Sequence, residues 1–492
     1  MLFPTLETPS SDIAVRFGDV VLTYDELARR ARAHAAGLLE RRIALGDRVL
    51  VFAKPSIGTI VALVGNALAS VVSVPVDPEL DDNSIARLVA DTTPRLAVGA
   101  SRAVADLPVT AGPLEGDPAK APAISPHDER LLILFTSGTT GAPKGVVHKE
   151  SSIAFTLDAL AEAWKLTRDD ALVHALPLFH AHGLVFGLFG ALRVGASLRV
   201  LPRFDAAEVA CRMHDEASVL YASPAQLQAL GELAERDAAI ASAVRRARLV
   251  VTGSAPFPVR ESLRLARVTG HRAVERYGVT EAFINASMRV DDERRPGTVG
   301  RALVGVSVRL VDDARAPTIA HDGESIGEIA VRGPNVFEGY WNRPEATAAV
   351  RDEAGWFYTG DLGTIAIDGT VRVVGRRSTD LIRTSEGRVA AGEVEWALLE
   401  HPAVREAAVV SIASSQQQNQ AQNQDDRIVA FVALRDGAVA TVASIGAHVA
   451  ESLPRHKRPG SIALVTALPR NAIGKVIKSE LRARAVAMEG AS

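Results

Sequence analysis

The chain has 492 residues, of which 47% are hydrophobic and 23% charged, and its formal net charge is −3 at pH 7. Because one hydrophobic core rarely grows to this size, we expect more than one domain. The near balance of charge gives no broad basic surface, which excludes nucleic acid as an expected partner. A single cysteine, Cys211, excludes an internal disulfide and is typical of a reducing compartment such as the cytoplasm.

No membrane segment is predicted. The first residues, MLFPTLETPSSD, have no basic region and contain a proline, which is not the pattern of a signal peptide. The most apolar run, residues 60–76, is interrupted by Asn66, Ser70 and Pro75, and it is too short to cross a bilayer.

Strand and helix signals alternate between residues 13 and 100. Apolar runs at 20–22, 48–52, 71–76 and 96–98 predict strands, and single helices are predicted between them. Thr23 is the expected N-cap of the first helix, with Asp25 and Glu26 in its first turn. Strands separated by single helices predict parallel βαβ units.

The stretch LLILFTSGTTGAPKGVVH, residues 131–148, joins an apolar run to a loop rich in glycine and hydroxyl groups. Glycines let backbone N–H groups turn inward, and Lys144 adds a compact positive charge suited to phosphate. The order GxxxxGK[ST] of a Walker loop is absent. Composition alone favours a surface turn, whereas the lysine and a predicted strand on each side favour a phosphate-binding loop.

Two histidines, His180 and His182, lie in the apolar stretch LPLFHAHG. They could ligate a metal, but the sequence places no third ligand beside them. A histidine in such a run otherwise packs in the core or lines a pocket, and both interpretations stay open.

The pattern changes after Gly297. Short strands with frequent glycines up to Gly375 predict an antiparallel, barrel-like subdomain. GRRSTD, residues 375–380, then marks a joint, and a compact α+β unit follows. Within that unit, residues 414–426 form a polar, low-complexity insert.

These stretches together resemble one family. TSGTTGAPKG, YGVTE, YTGD, GRRSTD and PRNAIGK occur in the order found in the adenylate-forming superfamily of acyl-CoA synthetases, peptide-synthetase adenylation domains and luciferases. Within it, ALPLFHAHGLVFG and ERYGVTEAFINAS are most similar to malonyl- and methylmalonyl-CoA synthetases.

The resemblance implies an α/β fold in two domains. Residues 1–376 would form an N-terminal adenylation core of layered parallel sheets plus the barrel-like β subdomain. Residues 377–492 would form a small α+β domain on a hinge, carrying a catalytic lysine. The implied activity is an AMP-forming ligase that uses ATP, Mg²⁺ and CoA, releases pyrophosphate, and acts on a small carboxylic acid as a cytoplasmic monomer or homodimer.

The resemblance also gives each motif a role. The β- and γ-phosphates of ATP would contact Thr136, Ser137, Gly138, Thr139, Thr140 and Lys144. The adenine would contact Gly253, Ser254, Ala255 and Tyr277. The ribose would contact Asp361 and Arg376. The catalytic group would comprise Thr280 on the α-phosphate, Glu281 on Mg²⁺, His180 beside the acyl pocket, and Lys475 on both carboxylate and α-phosphate.

Two positions depart from the family pattern. Ala229 aligns with an arginine that pairs with the distal carboxylate of malonate in malonyl-CoA synthetases, which argues against malonate. Ser385 and Glu386 replace a Gly-Gly pair along which the pantetheine arm of CoA passes. The alternative function is therefore transfer of the activated group to a carrier protein, an amine, or, as in related diazotases, an aryl amine with nitrite as the activated anion.

A third alternative is a degenerate member of the family that binds nucleotide without turnover. The presence of Lys475, Thr280, Glu281 and Asp361 argues against it.

Overall fold

The computed structural model describes residues 1–122, 128–136, 143–215, 218–384, 387–413, 426–470 and 476–489. The chain folds as a large N-terminal α/β domain and a small C-terminal α+β domain, as the sequence predicts. Within the described ranges, no helix is long and apolar enough to cross a membrane.

The strands of the large domain are β1 Ile13–Phe17, β2 Val20–Thr23, β3 Arg48–Phe52, β4 Val72–Val76, β5 Leu96–Val98, β6 Val109–Thr110, β7 Arg130–Phe135, β8 Gly145–Lys149, β9 Ala171–His174, β10 Ser197–Val200, β11 Val219–Ala222, β12 Leu249–Thr252, β13 Val274–Val279, β14 Phe283–Ser287, β15 Arg301–Ala302, β16 Ser307–Val311, β17 Gly327–Arg332, β18 Gly339–Tyr340, β19 Phe357–Ile365 and β20 Val371–Arg376. The strands that follow in the chain are β21 Leu381–Thr384, β22 Gly387–Ala390, β23 Val404–Ala413, β24 Asp426–Leu434 and β25 Ser461–Val465.

The helices are α1 Tyr24–Glu40, α2 Ile57–Leu68, α3 Asp82–Thr92, α4 Glu150–Trp164, α5 Gly190–Val194, α6 Ala206–Asp215, α7 Pro224–Arg236, α8 Ala238–Arg245, α9 Val259–Thr269, α10 Pro344–Val350, α11 Arg377–Asp380, α12 Ala391–Leu399, α13 Val442–Ser452 and α14 Lys478–Glu489. A π-helix at His182–Phe189 leads directly into α5.

Two mixed sheets form the body of the large domain. One has the order β15-β14-β13-β12-β11-β9-β10-β1-β2, and the other β18-β8-β7-β4-β3-β5-β6. Central strands pair in parallel, as β3 does with β4, and antiparallel strands lie at the edges. The interior strands are buried along their length, as expected of sheets covered by helices on both faces.

The first βα units follow the prediction closely. β3 has the predicted bounds, and Thr23 caps α1 by accepting a hydrogen bond of 3.2 Å from the N–H of Glu26. α2 is apolar and lies against α1 in the core, where His34 of α1 and Asn66 of α2 form a hydrogen bond of 3.0 Å.

The region after Gly297 holds a four-stranded antiparallel sheet in the order β16-β17-β19-β20. β18 is different, because it leaves this region and pairs with β8 at the edge of the second large sheet. This pairing brings residues far apart in sequence to one place.

The C-terminal domain packs a three-stranded sheet, β23-β24-β25, against α12, α13 and α14. It contacts the large domain through α9, where Glu261 pairs with Arg435 at 3.1 Å. The ring of Trp396 in the C-terminal domain packs directly on Gly297. A Cβ at position 297 would lie 2.5 Å from that ring, so this contact requires glycine.

Stability is expected to fall with acid because of His34. Its Nδ1 accepts from the N–H of Leu114 at 2.8 Å, so its Nε2 carries the proton and donates to Asn66. Burial lowers the pKa of His34 from 6.5 to about 4. Between pH 6.5 and pH 4, His34 is protonated in the unfolded chain but stays neutral in the folded chain. Lowering the pH from 7 to 5 should therefore reduce the free energy of unfolding by about 2 kcal/mol through His34.

Urea unfolding of the wild type and His34→Gln at pH 7 and pH 5 measures this term. The variant should lose less free energy of unfolding on acidification, and the exposed-site control His321→Gln should behave as the wild type. Equal losses in wild type and His34→Gln would contradict the prediction.

Candidate active site

The site lies where β12 and β13 end side by side. The two strands are parallel, with Val251 opposite Val274 and Thr252 opposite Glu275. The residues after β12, Gly253–Ser254–Ala255, therefore lie next to Arg276 and Tyr277. The carboxyl ends of parallel strands are the usual place for a ligand in open α/β sheets.

Arg276 lies under this turn and is only 5% exposed. Its Nη2 donates to the Oγ of Ser254 at 3.0 Å, and its Nε is buried without a partner among the described residues. Gly253 must be glycine, because a Cβ would lie 2.7 Å from that Nε. Burial lowers the pKa of Arg276 to about 9, which leaves the guanidinium charged at neutral pH.

His182 lies on the other side of Ser254. Its Nδ1 is 3.4 Å from the Ser254 Oγ, and its buried Nε2 has no partner among the described residues. Burial and the nearby charge of Arg276 hold the pKa of His182 well below its usual value. The rings of Phe186 and Tyr221 border this cluster. A buried cation with a free N–H, surrounded by aromatic rings, can bind a carboxylate.

Tyr277, Asp361 and Arg376 form a second cluster. The hydroxyl of Tyr277 donates to Asp361 at 2.6 Å, and Arg376 pairs with the other carboxylate oxygen at 2.9 Å. Burial raises the pKa of Asp361, and the Arg376 charge opposes that shift. The result is a fixed carboxylate on the strand β19, next to the turn after β12.

The turn Thr280–Ala282 is held from several sides. His148 of β8 donates from Nε2 to the carbonyl of Thr280 at 2.8 Å and stacks on Phe283. The N–H of Phe337 donates to the carbonyl of Glu281 at 2.7 Å. Phe283 has a φ of 45°, a left-handed conformation rare for a bulky residue.

Glu281 faces the described ends of the phosphate loop. Its Oε1 accepts from the hydroxyl of Tyr340 at 2.7 Å, and the ammonium of Lys144 lies 4.4 Å from the centre of the same Tyr340 ring. Thr136 and Lys144 close the loop at its base, because the N–H of Thr136 donates to the carbonyl of Lys144 at 3.0 Å.

Two protein-family models match the chain over ranges that contain most of these residues. The AMP-binding enzyme family matches residues 5–341, and the AMP-binding enzyme C-terminal domain matches residues 393–475. The chain belongs to the AMP-binding enzyme family.

Individual members of the family are similar over most of the chain. An Arabidopsis thaliana malonate–CoA ligase is 34% identical over 72% of the chain, and the match spans only 60% of that relative's length. ATP-bound MatB from Rhodopseudomonas palustris is 31% identical, covers 98% of both chains and superposes with a TM-score of 0.87. A malonyl-CoA ligase in complex with methylmalonyl-CoA and AMP is 42% identical over 95% of the chain and all of its own, with a TM-score of 0.69.

The structure brings most of the predicted site residues together. The turn after β12, the end of β13, the Thr280–Glu281 turn and the base of the phosphate loop are contiguous, and Asp361 and Arg376 join them through Tyr277. His180 is exposed and lies outside the buried cluster of His182. Seven residues of interest lie outside the described ranges: Ser137, Gly138, Thr139, Thr140, Ser385, Glu386 and Lys475.

Sequence reasoning missed Arg276, Tyr340 and Glu275. Arg276 and Glu275 are adjacent in a strand and point to opposite faces, so they do not pair. The Oε1 of Glu275 is buried without a partner among the described residues, and burial raises its pKa to about 8. The signal available in the sequence was two charged residues inside an otherwise buried strand.

Glu281 is suited to Mg²⁺ in the way the family implies. The described residues contain no group of three or more His, Cys, Asp or Glu that could hold a metal ion. Mg²⁺ commonly binds one or two carboxylates together with phosphate oxygens and water. The Oε2 of Glu281 takes no hydrogen bond from the described residues, which leaves this oxygen available to a metal ion as far as those residues are concerned.

The close packing at Gly278 gives a prediction. A Cβ on Gly278 would lie 1.7 Å from the carbonyl oxygen of Phe283, so Gly278→Ala must displace the Thr280–Glu281 turn. A misplacement of about 1 Å costs on the order of 10²-fold in rate. We expect that loss in ATP–pyrophosphate exchange.

Gly231→Ala is the matched control, since its nearest neighbour would be a side-chain carbon of Leu265 at 3.8 Å. It should exchange at the wild-type rate. Wild-type exchange by Gly278→Ala would show that the turn does not position the reaction.

Proposed function

We propose that the protein is an ATP-dependent acid–CoA ligase that activates a short dicarboxylic acid of the malonate class through an acyl-adenylate. The acid's carboxylate attacks the α-phosphorus of ATP and pyrophosphate leaves. The thiol of CoA then attacks the acyl carbon, and AMP leaves. The observation that carries the choice of acid is the buried, charged and incompletely partnered guanidinium of Arg276.

Burying a cation without a carboxylate partner lowers the stability of the fold. The presence of Arg276 at such a position therefore indicates that an anionic ligand pairs with it. In the structure Arg276 donates to Ser254, and its Nε, which has no partner among the residues that the structure describes, is left for another acceptor. One carboxylate of a dicarboxylic acid would pair there while the other reacts. A monocarboxylic acid would leave the guanidinium unpaired.

Arg276 also answers the objection raised by Ala229. The sequence argued against malonate because an alanine replaces an arginine on α7, and Ala229 is indeed an exposed residue of that helix. Arg276 supplies a cation from β13 instead. The names of the similar proteins, a malonate–CoA ligase and a malonyl-CoA ligase, support the same class of acid.

The remaining residues would place ATP. Asp361, fixed by Tyr277 and Arg376, offers carboxylate oxygens to the ribose hydroxyls. Lys144 and Thr136 to Thr140 would surround the β- and γ-phosphates, and Thr280 would reach the α-phosphate. Mg²⁺, held by Glu281, neutralises charge on the phosphate oxygens when bound. Fixing acid and α-phosphate in line supplies most of the remaining acceleration.

The two steps would use two arrangements of the C-terminal domain. We place the domain boundary between Arg376 and Arg377, so that the joint at 377–380 can rotate. Lys475 would act in adenylate formation, where it neutralises carboxylate and α-phosphate. The enzyme would work in the cytoplasm as a monomer or homodimer.

The acid is tested by pyrophosphate release over malonate, methylmalonate, acetate, propionate and nitrite. Malonate and methylmalonate should be preferred, and Arg276→Met should lower their kcat/KM by about 100-fold while leaving acetate and propionate unchanged or improved. Arg289→Met, which removes a guanidinium bonded to the carbonyl of Ala302, should not change the order of acids.

Preference of the wild type for acetate or propionate would refute the assignment of a dicarboxylic acid. An equal loss on all acids in Arg276→Met would show that Arg276 supports the fold rather than the acid. Preference for nitrite would favour diazotase-type chemistry.

The acceptor is tested separately because Ser385 and Glu386 replace the family's Gly-Gly pair. The ratio of CoA-dependent AMP release to hydroxylamine-trapped adenylate should be high in the wild type if CoA is the acceptor. The double variant Ser385→Gly with Glu386→Gly should then change it little.

A low wild-type ratio would favour a carrier protein or an amine as the acceptor. A low ratio that the double variant raises would assign the barrier to Ser385 and Glu386.

A further inference from the structure

The segment 335–341 touches both halves of the proposed site. The side-chain amide of Asn335 donates to the carbonyl of Ala282 at 2.7 Å, and the N–H of Phe337 donates to that of Glu281 at 2.7 Å. Two residues further on, β18 pairs with β8, Gly339 opposite Val147 and Tyr340 opposite Val146. The N–H of Trp341 then donates to the carbonyl of Gly145 at 2.7 Å.

Tyr340 is the point of this segment from which a side chain reaches both halves. Its hydroxyl donates to the Oε1 of Glu281 at 2.7 Å. The face of its ring lies 4.4 Å from the ammonium of Lys144, a favourable cation–π distance. Its backbone is fixed by β8 and by the hydroxyl of Thr347, which accepts from its N–H at 2.9 Å.

This geometry fixes two charges of opposite sign relative to one ring. The hydrogen bond restrains rotation of the Glu281 carboxylate and leaves Oε2 as the oxygen without a hydrogen-bond partner in the described part of the chain. The ring restrains the long, flexible side chain of Lys144, whose freedom would otherwise be lost only when phosphate binds. Without the tyrosine, carboxylate and ammonium would each have to be ordered by the ligand.

We propose that Tyr340 is a positioning residue that holds the Mg²⁺ ligand Glu281 and the phosphate-binding Lys144 in one fixed arrangement, so that metal and nucleotide bind to a preformed site. This rests on the proposed function, in which Glu281 binds Mg²⁺ and Lys144 binds phosphate. In this proposal Tyr340 acts through its contacts with Glu281 and Lys144.

A packing role is the competing explanation, because Tyr340 also lies edge-on to Phe337 with ring centres 5.0 Å apart. The two explanations differ for Tyr340→Phe. That variant keeps the ring, its packing and the contact with Lys144, and it removes only the hydrogen bond to Glu281. Tyr340→Leu removes the hydrogen bond and the aromatic face together.

Trp341→Phe is the matched control. Trp341 is the next residue, and its indole N–H donates to the carbonyl of Asp91 at 3.0 Å, so the variant also loses one hydrogen bond of the same segment. It makes no change at Glu281 or Lys144.

The experiment measures ATP binding by calorimetry at a series of Mg²⁺ concentrations, and ATP–pyrophosphate exchange over the same series. Tyr340→Phe should raise the Mg²⁺ concentration for half-maximal ATP binding by about 5- to 10-fold and reach nearly the wild-type exchange rate at saturating Mg²⁺. Tyr340→Leu should in addition weaken ATP binding at saturating Mg²⁺ by about 5- to 10-fold. Trp341→Phe should match the wild type in both.

The proposal would be overturned if ATP binding by Tyr340→Phe depended on Mg²⁺ as it does in the wild type or in Trp341→Phe. It would also be overturned if Tyr340→Phe and Tyr340→Leu had the same affinities for Mg²⁺ and ATP. The calorimetric readout needs no acid. If the wild type bound Mg²⁺ and ATP but catalysed pyrophosphate exchange with none of the acids, the proposed function would be refuted. The binding measurements would still decide the role of Tyr340.

Discussion

A buried hydrogen bond between His148 and the carbonyl of Thr280 joins the two large sheets at the place where the site is built. The carbonyl can only accept, so the Nε2 of His148 carries the proton and the ring is the neutral tautomer. Burial, which lowers the pKa of His148 to about 3, keeps it neutral across the physiological range. Because β8 follows the phosphate loop and Thr280 follows β13, this contact sets the distance between the two motifs.

The polar groups around that contact fall into two sets, one with hydrogen-bond partners in the protein and one without. Tyr277, Asp361 and Arg376 satisfy one another, and they form a rigid platform before any ligand arrives. Arg276, His182 and Glu275 each keep a buried polar atom without a partner among the described residues. Orphaned polar atoms lower stability by on the order of 1–3 kcal/mol each. At the candidate site, Arg276, His182 and Glu275 therefore lower stability, which is the expected cost of leaving polar atoms available to a ligand.

Local patterns in the sequence were enough to predict the first strands and helices, and the family resemblance was needed for the two-domain fold. The bounds of β3 and the cap at Thr23 depend on a few neighbouring residues, and both are confirmed. The phosphate loop itself stays a prediction, because residues 137–142 lie outside the described ranges. The family resemblance supplied the motif roles, which composition and spacing alone do not contain.

The sequence alone did not predict which strands and side chains from distant parts of the chain would come into contact. Tyr340 meets Lys144 and Glu281 only because β18 adds to a sheet made from the first part of the chain. Glu275 and Arg276 are both buried on β13, and the alternation of the strand sends them to opposite faces, so that they do not pair. Whether Ala229 excludes malonate stays a prediction, because a cation that replaces the arginine need not come from the same helix.

The contact between Gly253 and Arg276 also constrains how such an enzyme can change over evolutionary time. A Cβ at position 253 would meet the guanidinium, and it would equally lie 2.8 Å from the backbone carbonyl of residue 276. Shortening the side chain at 276 therefore does not release the glycine. Position 253 stays closed to any side chain even if residue 276 changes, so variation at this turn is confined to position 276 and the aromatic rings beside it.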